Sequence, residues 1–96
     1  MIQKIKNIIS SGDYEIKFVS KFRGFKNVPI KGFIDPETDT ILINQNLSHN
    51  EKITTIIHEF IHELEPSWSE TKVEKACQQI SKKLNKSDKS FFNNLV

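Results

Sequence analysis

SHNEKITTIIHEFIHELEP, residues 48–66, is the stretch on which the reading of the fold turns. Ile53, Ile56, Ile57, Phe60, Ile61 and Leu64 recur at spacings of three and four, the period of a helix with a wide buried stripe. Ser48 with Glu51 three residues later reads as a capping box, and Pro66 ends the run. The spacing thus predicts a helix over 48–65. A helix this rich in isoleucine tolerates unpaired polar groups poorly. Yet His58, Glu59, His62 and Glu63 stand inside it, in a 96-residue chain with only three histidines.

Residues four apart share one helix face, so His58 and His62 can aim one nitrogen each at a single point. Glu59 sits about 100° round the helix, near enough to reach a water at that point and poorly placed to ligate. Zinc suits such a set: it accepts imidazole nitrogen, prefers four ligands and leaves one position for water in catalytic sites. The pattern is H-E-x-x-H, and its chemistry is metal-assisted hydrolysis of an amide, with Glu59 as the proton acceptor. One zinc per chain is expected. A third protein ligand is needed, and the following helix offers Glu70 and Glu74. Ser67 with Glu70 reads as a second capping box, which occupies Glu70. Glu74 lies a turn deeper, beside Val73 and Cys77, and is the favoured ligand. Glu70 stays open as an alternative, with His49 more distant. Cys77 reads as a small core residue.

Outward from this helix the chain reads as a single domain, 1–96. Residues 1–13 hold an amphipathic helix on Ile2, Ile5, Ile8 and Ile9, stopped at Ser11-Gly12. Residues 14–45 form a small sheet. Tyr14 to Val19 alternates, Ile30 to Ile34 is a second strand, Asp35 to Asp39 a turn with Pro36 in its second position, and Thr40 to Asn44 a third strand. A helix over 67–86 follows Pro66, with Val73, Ala76, Cys77, Ile80 and Leu84 on its apolar face. Residues 87–96 are a tail without clear period. The class is α+β, with helices on one face of a three-stranded antiparallel sheet.

The apolar share of 36% and charged share of 27% are those of an ordinary globular domain. No apolar run approaches the roughly 20 residues that span a bilayer. No secretory leader is recognisable in the first fifteen residues. The single cysteine allows no internal disulfide, and the expected address is cytoplasmic. The net charge of +2 hides an uneven distribution: residues 1–34 sum to +5, 35–70 to −7 and 71–96 to +4. The acidic block contains the histidine pair and favours a bound cation by Coulomb attraction.

A strand, an H-E-x-x-H helix, a turn at a proline and a helix opening S-x-x-E-x-x-x-E together resemble the gluzincin metallopeptidases in their smallest, single-domain form, over residues 40–80. The resemblance implies a zincin-like fold and a peptide or protein substrate. It implies His58, His62 and Glu74 as zinc ligands and Glu59 as general base and acid. Thr40–Asn44 would be the sheet edge beside the cleft, where a substrate could add as a strand. The tail, with Phe91 and Phe92, would lie across the cleft in a latent form. Tyr14, Arg23 and His49 are candidates for the group that stabilises the oxyanion, and spacing does not choose among them.

Two other readings compete. A metal-stabilised binding module would need His58 and His62 but not Glu59. A nucleic-acid binder would use the basic loop KFRGFK, residues 21–26, with Phe22 and Phe25 for stacking.

Overall fold

The computed structural model describes residues 1–20 and 30–96, and the chain runs α1 (Ile2–Ser11), β1 (Glu15–Val19), β2 (Gly32–Asp35), β3 (Thr40–Asn44), α2 (His49–Leu64), α3 (Glu70–Lys82) and α4 (Lys86–Asn93). The KFRGFK loop, with Arg23, Phe22 and Phe25, lies outside the described residues. The α+β class holds. No described helix is long and apolar enough to cross a membrane.

The sheet is mixed, not antiparallel. Its order is β1-β3-β2. The turn delivers the expected antiparallel hairpin: β2 pairs with β3 from Gly32↔Ile43 to Asp35↔Thr40. Asp35 Oδ1 accepts the Glu37 N–H at 3.0 Å, and Asp39 takes the left-handed conformation, φ 49°. β1 joins the other side of β3 in parallel, from Glu15↔Thr40 to Val19↔Asn44. β3 is therefore the central strand and not an edge. Ile41 and Ile43 turn to the helix layer and are wholly buried, while Leu42 lies on the opposite face beside Glu15, Lys17 and Asp35. β1 and β2 are the edges among the described residues, and β2 is the edge strand that packs on α2.

α2 crosses the inner face of the sheet and packs on β2, β3 and α3. Its buried residues Ile53, Ile56, Ile57, Phe60 and Ile61 meet Ile41 and Ile43 of the sheet, Ile5 of α1 and Val73 and Cys77 of α3. Gly32 is what lets β2 come close. A Cβ built there would stand 2.6 Å from Thr55 Cγ2 on α2, inside any real contact.

Two further expectations are corrected at the C-terminal end. The cap of α3 is Ser69, whose hydroxyl accepts the Lys72 N–H at 3.2 Å, and not Ser67. After Pro66 the chain first makes a turn, closed by the Trp68 N–H on the Glu65 carbonyl, so the helix starts later than the spacing suggests. Residues 87–96 are not a free tail. Asn85 and Asp88 form a reciprocal capping box that starts α4. Phe92 is fully buried, Phe91 packs beside it, and Asp88 pairs with Lys6 of α1 at 3.0 Å. Burial pushes the Asp88 carboxyl up, but the Lys6 ammonium and the Asn85 N–H outweigh it and hold the group below the usual carboxylate range.

Candidate metal centre

α2 presents His58 and His62 one turn apart on the side that faces α3. The Ser48 cap, accepting the Glu51 N–H at 3.2 Å, starts the helix in the register that puts the isoleucines inward and the histidines at the margin. The two Nε2 atoms are 3.1 Å apart. The shifted start of α3 places Glu70 in its first turn, where a carboxylate is favoured by the helix dipole and is free of any capping bond to Ser67. Glu70 spans the pair: Oε1 is 2.8 Å from His58 Nε2 and Oε2 is 2.9 Å from His62 Nε2. Glu74, one turn on, reaches the other side of His58, with Oε2 3.1 Å from Nδ1.

Both nitrogens of His58 face carboxylate oxygens, Nε2 at 2.8 Å and Nδ1 at 3.1 Å. A carboxylate only accepts and a neutral imidazole has one N–H, so the ring cannot donate to both; a second proton, or a cation at one of the two nitrogens, satisfies the set. Among the described residues, ligand atoms of His58, His62 and Glu70 lie within 4.8 Å of one another, so this group could hold a metal ion. Two ligands about 2.0–2.1 Å from a tetrahedral zinc are about 3.3–3.4 Å apart. The two Nε2 atoms, 3.1 Å apart, are near that spacing, and Glu70 meets each of them through a different carboxylate oxygen.

The sequence expected Glu74 as third ligand and Glu70 as a cap. The structure brings Glu70 to both Nε2 atoms and puts Glu74 on the Nδ1 side of one ring. Glu59 is half-buried and lines the same groove. Burial raises its carboxyl pKa, His58 and His62 pull it back, and Glu70 adds to the rise. Cys77 is buried and donates to the Thr54 carbonyl at 3.3 Å; burial foremost pushes its thiol up to about 11, against a small opposing effect of Ser81. It is a core thiol, as expected.

The groove has a volume of about 420 Å³. Its walls are the Lys31–Gly32 end of β2, Asn50, Thr54 and Thr55 of α2, and the carboxylates Glu51, Glu59, Glu70 and Glu74. Lys31 is the lining cation among the described residues, 4.0 Å from Glu51. No spacing signal in the sequence marked Lys31, Gly32 or Asn50. Two sequence candidates are held elsewhere. The Tyr14 hydroxyl donates to Glu63 at 2.6 Å, and His49 Nε2 meets Asn93 Oδ1 at 2.7 Å on α4. No residue of α4 lines the groove among the described residues, and Phe91 and Phe92 pack against the core instead.

Comparison of the chain with protein-family models, with curated proteins and with solved structures returns no match.

Proposed function

We propose that this chain is a zinc-dependent metallopeptidase of the gluzincin type, acting on peptide or protein substrates. The observation that carries the reading is the convergence of His58 Nε2, His62 Nε2 and the Glu70 carboxylate, with His58, Glu70 and the half-buried Glu59 lining one groove. His58, His62 and Glu70 would hold the ion. Glu74 supports the set, holding His58 with its Nε2 lone pair turned inward, as partners behind a ligand do in zinc sites. Bound there, zinc would supply Lewis acidity to the scissile carbonyl and lower the pKa of an attacking water. Glu59 takes the proton from that water and returns it to the leaving amine.

β2 is the natural rail for an extended substrate. The Lys31 carbonyl accepts the Asn44 N–H at 2.8 Å, so by the period-two alternation of a strand the main-chain groups of Gly32 and Ile34 turn to the open side. A peptide pairing there would lie along the groove rim, positioned by its main chain.

The test is metal content together with peptide hydrolysis. About one zinc per chain is expected in the wild type, lost in His62→Ala and kept in Glu59→Gln, with hydrolysis absent from both variants. A wild type that takes up no zinc on reconstitution sinks the reading. Zinc uptake with equal function in wild type and Glu59→Gln would leave the metal-bearing binding module instead.

A further inference from the structure

Asn50, Thr54 and His58 stand at i, i+4 and i+8 along one stripe of α2. Followed from His58 toward the helix N-terminus, the groove meets a second pocket of about 410 Å³, and Asn50 and Thr54 line both. Ile53 and Leu84 give this pocket an apolar floor, and Lys89 and Asn93 of α4 form its far rim. At 1.5 Å of rise per residue, Thr54 and Asn50 lie about 6 and 12 Å from His58 along the axis. An extended peptide advances about 3.3 Å per residue, so a chain held over His58 would reach this pocket about two to four residues away.

The sign of charge changes between the two cavities. Four carboxylates line the histidine groove, and none is among the described residues lining the second pocket. Lys89 has no carboxylate partner among the described residues. His49 occupies the Asn93 Oδ1, which leaves the amide NH₂ as the unused end of that side chain. Residues 81–93 hold four lysines (Lys82, Lys83, Lys86 and Lys89) and one acid, Asp88, whose charge is met by Lys6 at 3.0 Å. The local potential is therefore positive next to a groove that is negative.

We propose that this second pocket is a substrate subsite for an acidic side chain, with glutamate the best fit. Its methylenes would cover Ile53 and Leu84 and its carboxylate would reach Lys89 and the Asn93 amide. The proposal rests on the reading of the histidine groove as a peptide site, and it names the sequence preference of that site.

The experiment is an NMR titration of the full chain, with and without added zinc. The ligand is an acetylated, amidated alanine peptide carrying one glutamate, beside the same peptide carrying glutamine. The glutamate peptide is expected to bind roughly fivefold tighter, the order that one exposed ion pair supplies, and to shift the amides of Asn50, Lys89 and Asn93. Lys89→Ala should erase the difference between the peptides. Lys89→Glu should turn the preference toward a lysine peptide. Lys89 is an exposed residue without a packing role, so both variants should fold, as their unchanged spectra elsewhere will confirm. Equal binding of the two peptides, or shifts confined to another surface, overturns the proposal. So does a thymidine oligonucleotide that shifts the same amides more strongly than the peptide, which would mark the lysines as a phosphate-binding surface. No hydrolysis is read, so a chain without zinc or activity can still pass, and an active zinc enzyme can still fail.

Discussion

Glu70 and Glu74 stand one helical turn apart, and their assignment turns on where α3 begins. A cap at Ser67 would have bent Glu70 back on its own helix. With the cap at Ser69, Glu70 is released toward both Nε2 atoms and Glu74 falls to the Nδ1 side of His58. Glu74→Gln should therefore weaken zinc by about 10- to 100-fold, the usual cost of losing a partner behind a ligand. Glu70→Gln should weaken it further, and the order of the two, measured by competition with a chelator, decides the assignment. That His58 and His62 share one face was legible from their spacing alone. The third carboxylate was not, because two serines compete for one cap, and the choice depends on a turn after Pro66 that no propensity reports. Tyr14 offers a second check at this scale. It is the chain's one tyrosine, and its hydrogen bond to Glu63, with burial and nearby carboxylates adding, raises its pKa from 10.0 to about 12. The folded value lies above the unfolded one, so the stabilisation is complete below pH 10 and fades as pH rises from about 10 to about 12. Spectrophotometric titration should show a midpoint near 12, returning toward 10 in Glu63→Gln. A wild-type midpoint at 10 would mean the Tyr14–Glu63 bond is not held in solution.

The elements divide by how local their signals are. α1, α2 and the β2–β3 hairpin followed from period, caps and a Pro turn, because those signals lie within one window of sequence. The partner of β1 did not, since the twelve residues from Ser20 to Lys31 are long enough to carry the chain to either side of β3. α4 had a sign, Asn85 and Asp88 at capping-box spacing, but an eight-residue helix gives too few turns for its period to stand out. Its weight in the fold is nonetheless large. Phe92 is wholly enclosed, so Phe92→Ala should cost about 3–5 kcal/mol in denaturant unfolding, the range for emptying a buried aromatic site. Phe91→Ala, at a half-buried position, should cost clearly less. A Phe92→Ala loss below about 1 kcal/mol would show that α4 is not part of the core.

At the scale of the molecule, a 96-residue chain buries a limited core, and any ion that binds only the folded form adds to a thin margin. Two of the three candidate ligands, His58 and His62, sit on α2, which runs through that core, and the third, Glu70, opens α3. An ion shared by His58, His62 and Glu70 would therefore clamp the contact between the two helices. The −7 block of residues 35–70 makes the clamp more valuable, because Glu59 and Glu70 repel each other across the groove until a cation stands near them. The binding energy of the ion then becomes folding energy. At free zinc a hundredfold above its dissociation constant, mass action adds about 2.7 kcal/mol. For a domain of this size that is a rise in Tm of about 10–20 °C. Calorimetry with zinc and with a chelator should show this rise in the wild type and in Glu59→Gln, and not in His62→Ala. Glu59→Gln is the informative arm, since removing a charge next to the ligands should raise the Tm of the metal-free protein while leaving the clamp in place. A zinc effect equal in wild type and His62→Ala would mean that the ion binds the acidic surface at large and that the two helices are held together by their apolar contacts alone.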